Sequence, residues 1–303
     1  MPLTETAALV DGARACGRGL AALNVITLEH AEAIVRAAES TGLPVVLQVS
    51  ENAVKYHGGS ATPLLSAALA LARTAGVPVG VHLDHVRDRA LLSEGVTAGV
   101  SSAMFDASGL AYASNVRTTA EAVRWAHGRG VWLEAELGEI GGKDGAHAPG
   151  ARTDPAEAAR FVADTGVDAL AVAVGTSHAM TERTARLDHE LIGRLREAVP
   201  VPLVLHGSSG VPDAELRLAV RAGMVKINVG TALNVAFTTE LRRCLTENPS
   251  VVDPRTFLAP ARAAMAAAAE HVLRVVAGSD DGAARGAAAR ERQERTAGGA
   301  TRI

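Results

Sequence analysis

A closed (β/α)8 barrel is the architecture this sequence predicts. Eight short apolar runs alternate with eight helix-patterned segments within about 250 residues, the size expected of that fold. The runs are continuous rather than alternating, as in strands buried on both faces, which favours a parallel barrel over an open sheet. Three runs end in a histidine with small or polar neighbours: Val77-Pro-Val-Gly-Val81 leads into His82-Leu-Asp-His85, Ala169 to Val174 into Gly-Thr-Ser-His178, and Val201 to Leu205 into His206-Gly-Ser-Ser-Gly210. Strand ends that converge on one rim account for that recurrence.

Residues 4–17 read as an amphipathic helix with Leu9, Val10 and Ala13 on one side and Gly17 or Gly19 as the stop, placed to cover the closed end of the barrel. Strand and helix then alternate at 21–26 and 29–40, 44–49 and 63–75, 79–82 and 87–94, 101–105 and 116–127. The rhythm continues at 131–136 and 154–165, 169–174 and 189–198, 203–206 and 213–222, and 225–229 and 231–247. Between 137 and 153 the chain is too rich in glycine for a helix and too long for an ordinary connection, so a mobile loop over the rim is expected. Residues 253–277 give one further Ala-rich helix, begun near Pro254 and ended by Gly278. The predicted organisation is one catalytic barrel over 1–278 and a disordered Ala/Gly/Arg-rich tail over 279–303.

Hydrophobic residues make up 48% and aromatics 3%, so Ala, Val and Leu must fill the core. A formal net charge of −3 gives no field that favours nucleic acid or an acidic membrane, and small-molecule partners are expected. Cys16 and Cys244 are too far apart in sequence to suggest a metal cluster or a disulfide framework. With no secretory pattern and no run of roughly 18 apolar residues, a cytoplasmic protein is the expectation.

The rim carries the chemistry. A catalytic zinc takes three protein ligands and keeps an open position, and His85, His178 and His206 supply that number from three strand ends. His82, on the inward face with Asp84, reads as a buried partner. Asp84 can bind the cation or move a proton at a substrate hydroxyl. Asp106 and Glu136, at later strand ends, can hold a second cation or pair with arginine. Gly207, Ser208 and Ser209 after the seventh strand, and Asn228, Val229, Gly230 and Thr231 at the eighth, expose N–H groups and hydroxyls where this fold grips phosphate. Their other reading is that of tight turns with helix caps.

These residues resemble the class II, zinc-dependent ketose-bisphosphate aldolases of the fructose- and tagatose-bisphosphate group. The resemblance rests on Leu23-Asn-Val, His82-Leu-Asp-His85, Glu134-Ala-Glu-Leu-Gly138 with Gly141-Gly142, the run from Gly166 to His178, the run from Pro202 to Pro212, and Lys226-Ile-Asn-Val-Gly-Thr231, within about 21–257. It implies Zn2+ on His85, His178 and His206, and Asp84 as proton donor and acceptor at the C4 hydroxyl. A second divalent or monovalent cation would lie at Asp106 and Glu136. Dihydroxyacetone phosphate would be held by Ser50, Ala179, Gly207–Ser209 and Asn228–Thr231. The family's loop glutamate is absent from Gly141-Gly142-Lys143-Asp144-Gly145, which leaves three readings: Asp144 takes that role with a shorter reach, Glu139 swings in, or the base is missing. The implied reaction is reversible cleavage of fructose 1,6-bisphosphate by a homodimer or homotetramer. Alternatives are cleavage of tagatose 1,6-bisphosphate or another phosphorylated ketose, and a zinc- and phosphate-binding sensor or scaffold. A Schiff-base aldolase would need Lys55, Lys143 or Lys226.

Overall fold

Each apolar run forms a strand that neighbouring strands pair on both edges, and each amphipathic segment forms a helix laid over it. The computed structural model describes residues 2–137, 152–176 and 180–279. The expected rim loop with Glu139 and Asp144, the pair His178 and Ala179, and the tail from 280 onward lie outside the described residues. In chain order the elements are α1 (Thr6–Ala15), β1 (Leu20–Asn24), α2 (Leu28–Thr41), β2 (Val45–Ser50), α3 (Glu51–Tyr56) and α4 (Thr62–Thr74). Next come β3 (Val79–Val86), α5 (Arg89–Ala98), β4 (Ser102–Phe105), α6 (Tyr112–His127), β5 (Trp132–Glu136) and α7 (Pro155–Thr165). The chain continues with β6 (Ala169–Ala171), α8 (His189–Ala198), β7 (Leu203–Leu205), α9 (Asp213–Ala222), β8 (Met224–Val229), α10 (Thr231–Glu247) and α11 (Arg255–Ala277). Neighbouring strands pair in sequence order, and β8 returns to β1 in parallel to close the barrel.

The elements depart from the expected boundaries in several places, α5 running four residues past its expected end and α6 beginning four residues early among them. A short helix, α3, follows β2 directly, its first turn capped by Ser50 Oγ accepting from the Ala53 N–H. Six residues are too few to show helical periodicity in sequence. β3 runs to Val86 rather than ending at His82. β6 stops at Ala171 instead of Val174, because Ala173 exchanges hydrogen bonds with Thr153 on the segment that enters α7.

The larger core lies between strands and helices and is built of Ala, Val and Leu with Ile34, Phe105 and Phe161. Besides the main core, the apolar material of the described residues forms two small clusters, one of Met104, Ala169, Ala171, Ala173 and Val204 with Trp132 against it. A floor layer joins Leu9 and Val10 of α1 to Leu20, Ala22, Val46 and Val225. Burying Leu9 and Val10 contributes about 1.5–3 kcal/mol each, which holds α1 under the closed end. The contact is close: a Cβ on Gly80 would lie 2.9 Å from Thr6 Oγ1. Above the floor the axis turns polar, with Gln48, His82, Asp84, Ser102, Glu134, Glu136, His206, Lys226 and Asn228 all buried. Its lowest link is a relay in which His82 Nδ1 meets Ser102 Oγ at 2.9 Å and Ser102 Oγ donates to Thr6 Oγ1 at 2.7 Å. Trp132 meets the His82 ring edge-on, with centroids 6.3 Å apart.

Candidate active site

Strand alternation alone would turn Asp84 into the barrel and His85 out of it. Instead, pairing with β4 shifts register between Leu83 and Val86, and His85 adopts a left-handed backbone with φ 52. A bulge of this kind re-aims a side chain, and the left-handed conformation costs about 1–2 kcal/mol outside glycine. Glu51 of α3 pins the strand just beyond it, Oε2 accepting from the Arg87 N–H at 2.8 Å. Two consecutive residues, Asp84 and His85, thereby share one pocket.

His206, directly after β7, completes the group. Its Nε2 lies 2.9 Å from Glu134 Oε1, while Nδ1 of His85 lies 3.2 Å from Asp106 Oδ2. An ionised carboxylate only accepts, so each of those ring nitrogens carries a hydrogen. In neutral rings the two remaining nitrogens, His206 Nδ1 and His85 Nε2, therefore both carry lone pairs, and they face each other at 3.1 Å. Opposed lone pairs at that distance are unfavourable without a cation between them. Asp84 Oδ2 stands 3.7 Å from His85 Nε2. Among the described residues, Asp84, His85 and His206 have donor atoms that all lie within 4.8 Å of one another. Tetrahedral zinc with bonds of about 2.0–2.1 Å sets neighbouring nitrogens about 3.3 Å apart, so the donor set and its spacing fit that ion.

The other expected residues fall around this point. Asp106 orients the His85 ring and is itself held by Ser108, whose N–H and Oγ–H donate at 3.2 Å and 2.5 Å. Glu136 Oε2 lies 3.7 Å from His206 Nδ1. Both acids stand against imidazoles and outside the three-residue donor set. His82 is fully buried, and burial first, then the Lys226 charge, holds its imidazole well below the ordinary range.

A cavity of about 260 Å3 opens beside Asp84, His85 and His206, and Ser50, Gly207, Ser208, Ser209, Asn228, Gly230 and Thr231 line it as expected. Gly207 takes φ 65, a left-handed turn that lets the chain double back after β7. The two expected anion loops are tied together, since Ser209 Oγ accepts from the Ala232 N–H at 3.1 Å. Val229 corrects the expectation: its side chain packs in the outer core and does not line the cavity. Asn24, Gln48 and Asn52 line it and were not anticipated from the sequence. Asn24 falls in the Leu23-Asn-Val segment that carries the resemblance, though no role was drawn from it, while for Gln48 and Asn52 an amide near the end of β2 was the only signal. Lysine does not line this cavity among the described residues: Lys55 is exposed and paired with Glu51, and Lys226 is enclosed in the barrel. Two larger cavities, of about 370 and 490 Å3, are lined by arginine, cysteine and apolar or small residues and present neither carboxylate nor imidazole.

Known proteins share this sequence and fold. A Thermus caldophilus fructose-bisphosphate aldolase is 39% identical over 280 residues, covering 84% of this chain and 91% of the relative. A Geobacillus stearothermophilus fructose-bisphosphate aldolase is 39% identical over 247 residues, covering 80% of this chain and 86% of the relative. The crystal structure of the YdjI aldolase from Escherichia coli K12 superposes with a TM-score of 0.77 at 32% identity, covering 90% of this chain and 97% of that one. The family model for fructose-bisphosphate aldolase class-II matches residues 4–281. This chain, with its polar rim built on a closed barrel, belongs to the class II fructose-bisphosphate aldolase family, a family of metal-dependent lyases.

Proposed function

We propose that this protein cleaves fructose 1,6-bisphosphate reversibly to dihydroxyacetone phosphate and glyceraldehyde 3-phosphate, with Zn2+ as its metal. The carrying observation is the pair of opposed lone pairs, His85 Nε2 and His206 Nδ1 at 3.1 Å, beside Asp84 in one cavity. His178 is the third zinc ligand in this reading, and Asp106 and Glu136 attend the metal region, where they could take a second cation. Zn2+ held by these residues would supply Lewis acidity that stabilises the negative charge developing on the substrate as the carbon–carbon bond breaks. Asp84 accepts the C4 hydroxyl proton in cleavage and returns it in condensation. Ser50, Gly207–Ser209, Asn228, Gly230 and Thr231, with Ala179, hold the dihydroxyacetone phosphate half, the phosphate meeting N–H groups at the start of α10. Asp144 serves as the base that deprotonates dihydroxyacetone phosphate in the synthetic direction. The substrate is a phosphorylated sugar, the enzyme is cytoplasmic, and it works as a homodimer or homotetramer. Among the described residues no helix is long and apolar enough to cross a membrane.

The test is a coupled cleavage assay on fructose 1,6-bisphosphate before and after dialysis against EDTA, with borohydride plus substrate as a parallel arm. Loss on chelation, recovery with Zn2+ and indifference to borohydride are expected. Activity that survives EDTA but is lost to borohydride would overturn the metal mechanism. Turnover of tagatose 1,6-bisphosphate alone would overturn the choice of sugar while leaving that mechanism intact.

A further inference from the structure

The chemistry above leaves a fully buried lysine unexplained. Lys226 and Glu134 are both 0% exposed inside the barrel, and charges are enclosed this deeply only when they are paired. Lys226 Nζ lies 2.9 Å from Glu134 Oε2 and donates to Asn228 Oδ1 at 2.9 Å. The other oxygen of that carboxylate, Oε1, accepts from Nε2 of His206 at 2.9 Å. One ammonium thus touches two arms, one ending at a metal-facing imidazole and the other at a residue that lines the substrate cavity.

We propose that Lys226 is a positioning residue for both halves of the site. It holds Glu134 against His206 so that Nδ1 of that ring faces the metal, and it holds Oδ1 of Asn228 so that Nδ2 faces the substrate. The assignment follows from what an ammonium can do: it has three hydrogens and no acceptor, so an amide meeting it must present oxygen. Nδ2 of Asn228 is then aimed away from Lys226, and it is a buried donor without a partner among the described residues. A carbonyl or hydroxyl oxygen of a ligand in the cavity is the complement to that donor. On the other arm, which nitrogen of His206 carries hydrogen is set by the acceptor it meets, and Glu134 is that acceptor. Glu134 without Lys226 would be a fully enclosed carboxylate facing only a neutral imidazole, with nothing to hold it in place. The inference rests on the metal reading above and extends it to a residue that touches neither metal nor substrate.

Two variants and two readouts test it, both on the full chain without substrate. Lys226→Met removes the cation at similar length, and Lys226→Met/Glu134→Gln removes both charges, so it folds even where the single change leaves an uncompensated carboxylate. In the metal-free parent at pH 8, imidazole 15N shifts should show His206 with hydrogen on Nε2, and both variants should show a mixture of tautomers. Zinc affinity, read by competition with a chromophoric chelator, should fall about 10–100-fold in the double variant, while its melting temperature stays near the parent's. Parental tautomer and parental zinc affinity in the double variant would overturn the proposal and leave the pair a core contact only. Variants that weaken in zinc binding as expected, beside a parent that cleaves no fructose 1,6-bisphosphate, would sink the substrate assignment without touching the role of Lys226.

Discussion

Asp84 and His85 are adjacent in the chain and face the same pocket, which ordinary pleating forbids. The left-handed backbone at His85 is what permits it. In the function proposed above the two side chains divide the work, the imidazole directing a lone pair to the metal and the carboxylate serving the substrate hydroxyl. Asp84→Asn keeps the shape and removes the base, so kcat for cleavage should fall about 10²–10⁴-fold while bound metal is retained. Metal loss in parallel, measured by elemental analysis, would place Asp84 among the ligands instead. At this scale much was readable from sequence: His85, His206, Asp84 and the loop glycines and serines announce themselves as polar residues ending apolar runs. Lys226 and Glu134 were less readable, because a charge inside a strand has meaning only once its partner is known. Gln48 and Asn52 were unreadable for a related reason, since an amide near a strand end is ambiguous until the strands close around it.

At the scale of elements, the barrel separates its closed floor from its working rim. α1 presses its Thr6 and Leu9 against β3 at Gly80, where a Cβ would meet atoms at 2.9 and 3.2 Å. Gly80→Val should therefore cost about 1–3 kcal/mol by forcing α1 outward, visible as a lower denaturant midpoint. Its KM and kcat should match the parent's, because the displaced helix lies at the far end from His85 and His206. Altered kinetics with unchanged stability would contradict that separation. The eight strands and most helices were legible because buried strands and amphipathic helices leave distinct periods in the chain. α3 and the early end of β6 were not, since both depend on tertiary partners, Ser50 capping the Ala53 N–H and Thr153 engaging Ala173.

For the molecule as a whole, α11 completes the ring of helices, packing its buried face, including Met265 and Leu273, into the main core and sending Arg262 to Glu32 of α2. α2 also holds a pH-sensitive group. Burial pushes the His30 imidazole below its ordinary value, against the opposing pull of Asn234 and Glu29, and its ring stacks on Phe237 of α10 at 5.1 Å. The folded chain thus keeps His30 neutral where the unfolded chain would take up a proton. Stability is fully present above the unfolded value of about 6.5 and declines as pH falls below it, by up to about 1.4 kcal/mol per pH unit for each such group. Urea unfolding at pH 7.5 and 5.5 should show that decline, and His30→Gln should make it shallower; an equal slope in the variant would assign the effect to other residues. The edge-on contact between Trp132 and His82 has an optical consequence as well. The chain has only two tryptophans. Trp125 lies against Arg129, whose guanidinium carbon is 4.3 Å from its ring centroid, while Trp132 looks into the polar axis through His82. Intrinsic fluorescence is therefore a built-in reporter of the barrel interior, with Trp125 as the fixed background against which changes along the axis are read.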